Sequence, residues 1–409
     1  MNKTRLLLIL LFLYTISPEA GALDFGLLVS QNPEAGTSGS FTNPGGDNKK
    51  PEWNYTITYS PWLSAEWGKT AKFYLSVKAE TAFEDTPVLA ELGQAGFSWR
   101  PAERVFLEAG RIRFDDTWGI IAAGLFDGLN GSAVLGKLRL SAGTFYTGLL
   151  YKETAGIVMT SDDAERYVLA LDYGDMDTYF ASRRILASVT GELADLTPRT
   201  SLSLNALAQF DVNGGEQRLH TQYLTVRYGA RPLETLSLTG TAVAGLAENR
   251  EAETLFHFAA AAGLDWETPG RLQDMVQMEV RWSSGEVNDR IKPFAPVTAA
   301  VQGQVFTPKL SALMTVKGKY MVRLHRNFSA RAEGTYFIRT DGRTLSGAEY
   351  PPSEERLLGG ELYGMLVWAP SSDFMINIGG GAFFPGAGTV FTPNAPVRWK
   401  ISAGIILSL

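Results

Sequence analysis

The chain has 409 residues, with 37 basic and 43 acidic side chains, 11% aromatics and no cysteine. Without cysteine it can hold no disulfide, no thiolate metal site and no lipid-modified N-terminal cysteine, and its mild acidity gives no support for nucleic-acid binding. Hydropathy averages near zero, with no linker-like shift in composition, so one domain is expected rather than two or three.

The first segment reads as an export leader. Lys3 and Arg5 precede an apolar stretch at 6–16, and Ala20-Gly21-Ala22 offers a small-residue cleavage site. The stretch is about half of the roughly 20 residues a spanning helix needs. The expectation is a signal peptide over 1–22, cleaved after about Ala22, and a mature domain over 23–409.

From there the chain reads as a series of hairpins. Residues 23–30 look like a first strand. Tight turns are expected at Ser60-Pro61-Trp62, Arg100-Pro101-Ala102-Glu103, Gly136-Lys137, 195–199, Arg231-Pro232-Leu233-Glu234, Pro269-Gly270-Arg271, His325-Arg326-Asn327 and Ala369-Pro370-Ser371-Ser372. Longer polar connections fall between them, at 31–51, 81–87, 114–128, 151–180, 212–217, 247–253, 284–309, 341–355 and 385–397. These turns and loops join 18 strands, with 16–20 as the range.

Period-two alternation marks the strands. Phe73, Leu75, Val77 and Ala79 oppose Lys72, Tyr74, Ser76, Lys78 and Glu80. Leu202, Leu204, Ala206, Ala208 and Phe210 oppose Ser201, Ser203, Asn205 and Gln209. Val276, Met278, Val280 and Trp282 oppose Gln277, Glu279, Arg281 and Ser283, while Phe328, Ala330, Ala332, Tyr336 and Ile338 oppose Arg331, Glu333, Thr335 and Arg339. The last stretch, 398–409, alternates to its end, with Trp399, Ile401, Ala403, Ile405 and Leu407 on one face. Segment 151–180 fits less neatly. Tyr167, Leu169, Leu171 and Tyr173 alternate without a tight turn beside them, which suggests a β-structured loop above or inside the sheet, or an extra strand pair.

No later segment could span a bilayer as a helix, and a sheet crosses lipid only when closed on itself, because every backbone polar group must be paired there. The fold expected is therefore all-β: a transmembrane antiparallel up-and-down β-barrel of about 18 strands, with aromatics such as Trp62, Trp99, Tyr228, Trp266, Trp282, Trp368, Phe384 and Trp399 at its rims. Charged side chains cost about 2–4 kcal/mol on the lipid face at midplane. Lys78, Glu80, Arg227, Glu279, Arg281, Arg331, Glu333, Arg339 and Glu361 are therefore assigned to the lumen wall.

The candidate filter is 108–116. Val105, Leu107 and Ala109 point outward. A phase flip at Gly110, as a bulge would produce, then sends Ile112 and Phe114 outward and Arg111, Arg113 and Asp115 inward. Arginines beside carboxylates make the transverse field by which charged rings select ions, and Arg183 and Arg184 add positive charge near the loop end. The three histidines, His220, His257 and His325, lie far apart without metal-ligand spacing, and no phosphate-binding glycine loop or haem motif occurs. Neither an enzyme, a cofactor nor a metal is expected.

The leader, the strand–turn rhythm, the terminal strand and the stretch Gly110-Arg111-Ile112-Arg113-Phe114-Asp115-Asp116 together resemble the bacterial outer-membrane porins. The nearest are the 18-stranded substrate-channel and alginate-export types. The resemblance covers essentially the mature chain and implies passive diffusion of small hydrophilic solutes. It also implies a setting in outer-membrane lipid and insertion by the barrel-assembly machinery through the C-terminal strand. It implies solute-binding lumen arginines, carried over here to Arg111 and Arg113 alone. This chain departs by ending in Leu409 rather than an aromatic residue, and its acidic lumen speaks against a polyanion. Two further readings are a surface adhesin or structural barrel acting through its loops, and a hydrophobic-substrate transporter of the fatty-acid type. The latter would need an N-terminal plug where 23–30 look like a strand. No signal for an oligomer interface is present.

Overall fold

The computed structural model describes residues 22–37, 51–82, 88–214, 217–249, 253–270, 272–342, 354–391 and 394–409. The expected leader lies, but for Ala22, outside the described residues, as does much of the loops expected at 31–51, 81–87 and 341–355.

An alternating sequence makes a strand with one apolar and one polar face, and eighteen such strands pair antiparallel with their sequence neighbours. The first six are β1 (Ala22–Gly36), β2 (Glu52–Trp67), β3 (Ala71–Ala82), β4 (Leu89–Ala102), β5 (Val105–Asp115) and β6 (Ala123–Leu135). Then come β7 (Leu138–Tyr146), β8 (Arg184–Thr197), β9 (Thr200–Asp211), β10 (His220–Leu233), β11 (Leu236–Glu248) and β12 (Thr254–Glu267). The set ends with β13 (Met275–Ser283), β14 (Leu313–His325), β15 (Phe328–Arg339), β16 (Leu357–Ser371), β17 (Phe374–Phe384) and β18 (Arg398–Ser408). β18 pairs back onto β1, Ser408 opposite Leu28 and Ile405 opposite Gln31, and the sheet closes into a barrel.

Seven expected turns fall where the Pro, Gly and charge signals put them, for example at Gly136, whose φ of 64° needs no Cβ, and after Pro232. The eighth is displaced. Ser60-Pro61-Trp62 lies inside β2, and the turn comes at 68–70, where Gly68 takes φ 60°. Pro61 has no N–H to give, and the β2–β3 ladder skips it, resuming at Trp62 opposite Ser76. Pro61 therefore marks a gap in the ladder and not a chain reversal.

The faces sort by parity. Leu204, Leu224, Met278, Leu362 and Ile401 are exposed, whereas Asn205, Thr225, Thr335 and Glu361 are buried inside. Trp99, Tyr228, Trp266 and Trp368 are exposed toward the turn end, and Trp282 and Phe384 toward the loop end. Trp62 departs from that set. It shares the inner face and stacks on Tyr74, centroids 6.3 Å apart.

Segment 151–180 adds no strand. It holds two short helices, α1 (Lys152–Ala155) and α2 (Ser161–Tyr167). Thr160 caps α2, its hydroxyl accepting from Asp163 N–H while the Asp163 carboxylate accepts from Thr160 N–H. The box sets a helix over 161–167, the alternation at 167–173 finds no partner strand, and the count stays at eighteen.

Candidate solute-selecting site inside the barrel

Three insertions fill part of the lumen: the tip of the β5–β6 hairpin, the β7–β8 connection (147–183) and the β13–β14 connection (284–312). The hairpin is the most informative. β4 and β5 pair only as far as Ala95 opposite Arg111, and β6 and β7 only as far as Asp127 opposite Tyr146. Beyond those points β5 and β6 continue with each other alone, to Asp115 opposite Ala123. The hairpin leaves the wall there, and positive φ at Gly110 (114°) and Gly124 (145°) lets both legs bend.

This corrects the expected phase flip. Pairing runs unbroken through Gly110 opposite Gly128, so Arg111, Arg113 and Asp115 keep the face of Val105 and Leu107, and Ile112 and Phe114 take the other. Gly110 serves as a hinge instead of a bulge. Ile112, Phe114 and Phe126 then pack with Phe145, Leu186, Leu207, Tyr223, Val243 and Ala259, inner-face residues of β7 to β12. At the tip, Arg227 of β10 donates to Thr117 O at 2.8 Å. The hairpin thus lies on the β7–β12 side of the barrel interior, and its other face is open to solvent at Arg113 and Asp115. On that face Arg113 is 71% exposed and grips Asp115 through Nε at 2.8 Å.

The other predicted arginines are committed elsewhere. Arg111 is buried at the hinge. It holds both Asp127 oxygens, at 2.9 and 2.8 Å, and donates to the carbonyls of Leu92 and Leu149. Arg184 is buried between Asp163 and Asp211, with its nearest Asp163 oxygen 2.5 Å away. Arg183 is exposed, but shares the outward parity of Ile185 at the rim. Against expectation, then, Arg111, Arg183 and Arg184 present no guanidinium to the bore. For Arg111 and Arg184 neighbours distant in sequence decide the matter, and for Arg183 strand parity does.

The lumen-wall candidates sit on the inner face, mostly in pairs: Lys78–Glu80 at 2.9 Å, Glu279–Arg281 at 2.8 Å and Lys317–Glu333 at 3.0 Å. Lys400–Glu34 at 2.8 Å joins them, a pair that alternation alone did not single out. Arg331 lies over the Tyr363 ring, and Arg339 is buried at the loop end. Glu361 is used structurally. Its carboxylate accepts backbone N–H from Gln304, Val305 and Phe306 at 2.7–2.9 Å and holds the β13–β14 connection to the wall. Phe306 stacks on Phe383 beside it, centroids 4.5 Å apart.

That connection ties the insertions together. Val297 and Thr298 donate to Ile121 O at the hairpin tip, and Ala299 donates to Gly156 O beyond α1. Asp116 accepts from Trp118, Ile121 and Ala122 N–H; burial raises its pKa and outweighs those donors. Lys309, half-buried and donating to the Val158 carbonyl, has its pKa pushed down by desolvation. Of the histidines, His257 is closed between the Tyr223 and Phe294 rings, and His220 accepts from Asp211 N–H.

No protein-family model matches the chain, and no curated protein matches it in sequence. Solved structures do. The outer membrane protein opdK of Pseudomonas aeruginosa aligns with TM-score 0.63 at 9% identity, covering 95% of this chain and 99% of that one. Pseudomonas aeruginosa OccK2 (OpdF), solved in complex with glucuronate, gives 0.61 at 13%, covering 96% and 100%. OprD from the same organism gives 0.59 at 12%, covering 96% and 95%. At such identities the likeness speaks for the fold alone: this chain is a closed eighteen-stranded antiparallel β-barrel with the fold of those proteins.

Proposed function

We propose that the protein is an outer-membrane channel through which small hydrophilic solutes diffuse passively. The observation that carries this reading is the hairpin. It enters a closed barrel, and its exposed Arg113–Asp115 pair would face the solute path. Such a pair sets a field across the path without blocking it, and no energy source is required. The wall charges are mostly compensated, which favours solutes carrying both charge and hydrogen-bonding groups over polyanions. The glucuronate bound by a neighbour of the same fold supports a small solute of that size. The surroundings would be outer-membrane lipid against the exposed apolar belt, and β18 would be the strand read by the assembly machinery.

The test is single-channel conductance of the refolded protein in a planar bilayer, with reversal potential in a salt gradient. Stable current steps are expected. Arg113→Ala leaves Asp115 alone and should shift the reversal potential toward cation preference; Asp115→Ala should shift it the opposite way. A folded, heat-modifiable barrel that never conducts would overturn the proposal.

A further inference from the structure

Where the hairpin leaves the wall, β4 loses its ladder partner, and side chains take its place. Tyr173 Oη donates to Val88 O at 2.7 Å and accepts from Ala90 N–H at 2.9 Å. Tyr179 Oη donates to Ala90 O at 2.8 Å, and Arg111 donates to Leu92 O at 2.8 Å. The legs of the β7–β8 connection run beside this edge, joined by Ala181 N–H to Leu150 O and Lys152 N–H to Tyr179 O. The connection therefore forms part of the barrel wall at this seam.

Next to the seam the same connection shows an unusual surface. Tyr167, Val168, Leu169 and Ala170 are four consecutive exposed apolar residues, Val168 at 80% and Leu169 at 47%, and Met176 is exposed a few residues on. Runs of this kind are costly in water and mark contact surfaces. The run is also held rigidly. The buried Lys152 ammonium donates to the carbonyls of Arg166 (3.0 Å) and Leu169 (2.5 Å) at the end of α2, and Leu171 packs against Leu89, Tyr151 and Tyr179.

What covers the run follows from continuity. Tyr173 is tied to the backbone of β4 at the same point where Val88 and Leu92 turn their side chains outward, and exposed Leu149 lies on the other side of Arg111. The exposed apolar residues Val88 and Leu92 of the β4 edge thus border the connection at Tyr173, and within 167–176 the apolar surface is interrupted by the exposed carboxylates of Asp172 and Asp175, which stay on its water side. We propose that segment 167–176 docks on the outer leaflet of the membrane, burying Val168, Leu169 and Met176 among lipid acyl chains. The loop would then be anchored in lipid on one side and in the lumen on the other. This rests on the membrane setting proposed above.

Because the chain has no cysteine, single substitutions give unique labels. Val168→Cys, Leu224→Cys on the belt and Asp289→Cys on the β13–β14 connection would each carry an environment-sensitive fluorophore in phosphatidylcholine vesicles. The emission of the Val168→Cys label should be blue-shifted, protected from aqueous iodide and quenched by a lipid-borne nitroxide, following the Leu224→Cys label. Quenching by iodide alone, as for Asp289→Cys, would overturn the proposal. So would protection that depends on the protein-to-lipid ratio and ignores the lipid quencher, which would mean a second copy covers the run. Failure of the Leu224→Cys label to sense lipid would instead refute the membrane setting itself.

Discussion

Arg111 and Arg113 are two positions apart on one strand and share a face, yet their surroundings assign them opposite duties. Arg111 is closed in by Asp127 and two carbonyls, so Arg111→Ala strands a half-buried carboxylate and two acceptors at the hinge. Breaking a fully buried pair costs about 3–5 kcal/mol, and the partial exposure of Asp127 puts this loss at the lower end of that range. Urea unfolding of the vesicle-folded protein should show that loss, while Arg113→Ala, at an exposed position, should stay within about 0.5 kcal/mol of wild type. Asp163 makes a pH-dependent contact. Burial alone would raise its pKa, but the Arg184 guanidinium, the Ser182 hydroxyl and the N–H groups of Met159 and Thr160 outweigh burial and hold it below the usual carboxylate range. A depressed carboxylate contributes stability above its unfolded value, near about 4, and loses it as pH falls through the lower folded value. The β7–β8 connection should therefore resist limited proteolysis at pH 5 and become cleavable by an acid-active protease only once the pH has fallen below the ordinary carboxylate range. In Asp163→Asn that acid step should vanish, with cleavage already raised at neutral pH.

At the level of elements, the hairpin and its two glycine hinges set the inside of the barrel. The hinges are unequal. A Cβ at Gly110 would lie 2.2 Å from Ala95 O, whereas one at Gly124 would meet nothing within 4 Å. Both positions need positive φ, so Gly124→Ala should cost the backbone strain alone, about 1–3 kcal/mol. Gly110→Ala adds a clash with backbone and should cost more, or leave no heat-modifiable band on a gel. The strands were legible in the sequence because alternation at Leu202–Phe210 or Val276–Ser283 reports which side of a sheet is wet. The inward bend was not legible, because a glycine at 110 suits a bulge and a hinge equally. The choice depends on whether β4 keeps pairing past Ala95, a contact between strands that alternation does not carry. The helix in 161–167 did leave a signal, the Thr160-x-x-Asp163 box, which the alternation of Tyr167 to Tyr173 obscured.

For the whole molecule, the interior is divided in two. One part, along β7 to β12 and again at the loop ends of β14 to β17, is packed with aromatic and aliphatic side chains under the insertions, and the other keeps paired charges of both signs. With so many charges compensated, the channel proposed above should be only weakly ion-selective, and its reversal potential in a salt gradient should lie far below that of an ideally selective pore. The location of the site was not legible at this scale, since Arg184 and Arg113 carry the same charge and only packing separates them. The seam at β4 also bears on how the chain is made. Until Tyr173 and Tyr179 arrive, Val88 and Ala90 offer an open strand edge, a template on which another unfinished chain could add itself. The β7–β8 connection would thus act during biogenesis as a built-in chaperone for its own neighbour, and a Tyr173→Phe/Tyr179→Phe chain should yield fewer monomeric barrels and more sheet-linked aggregates on refolding.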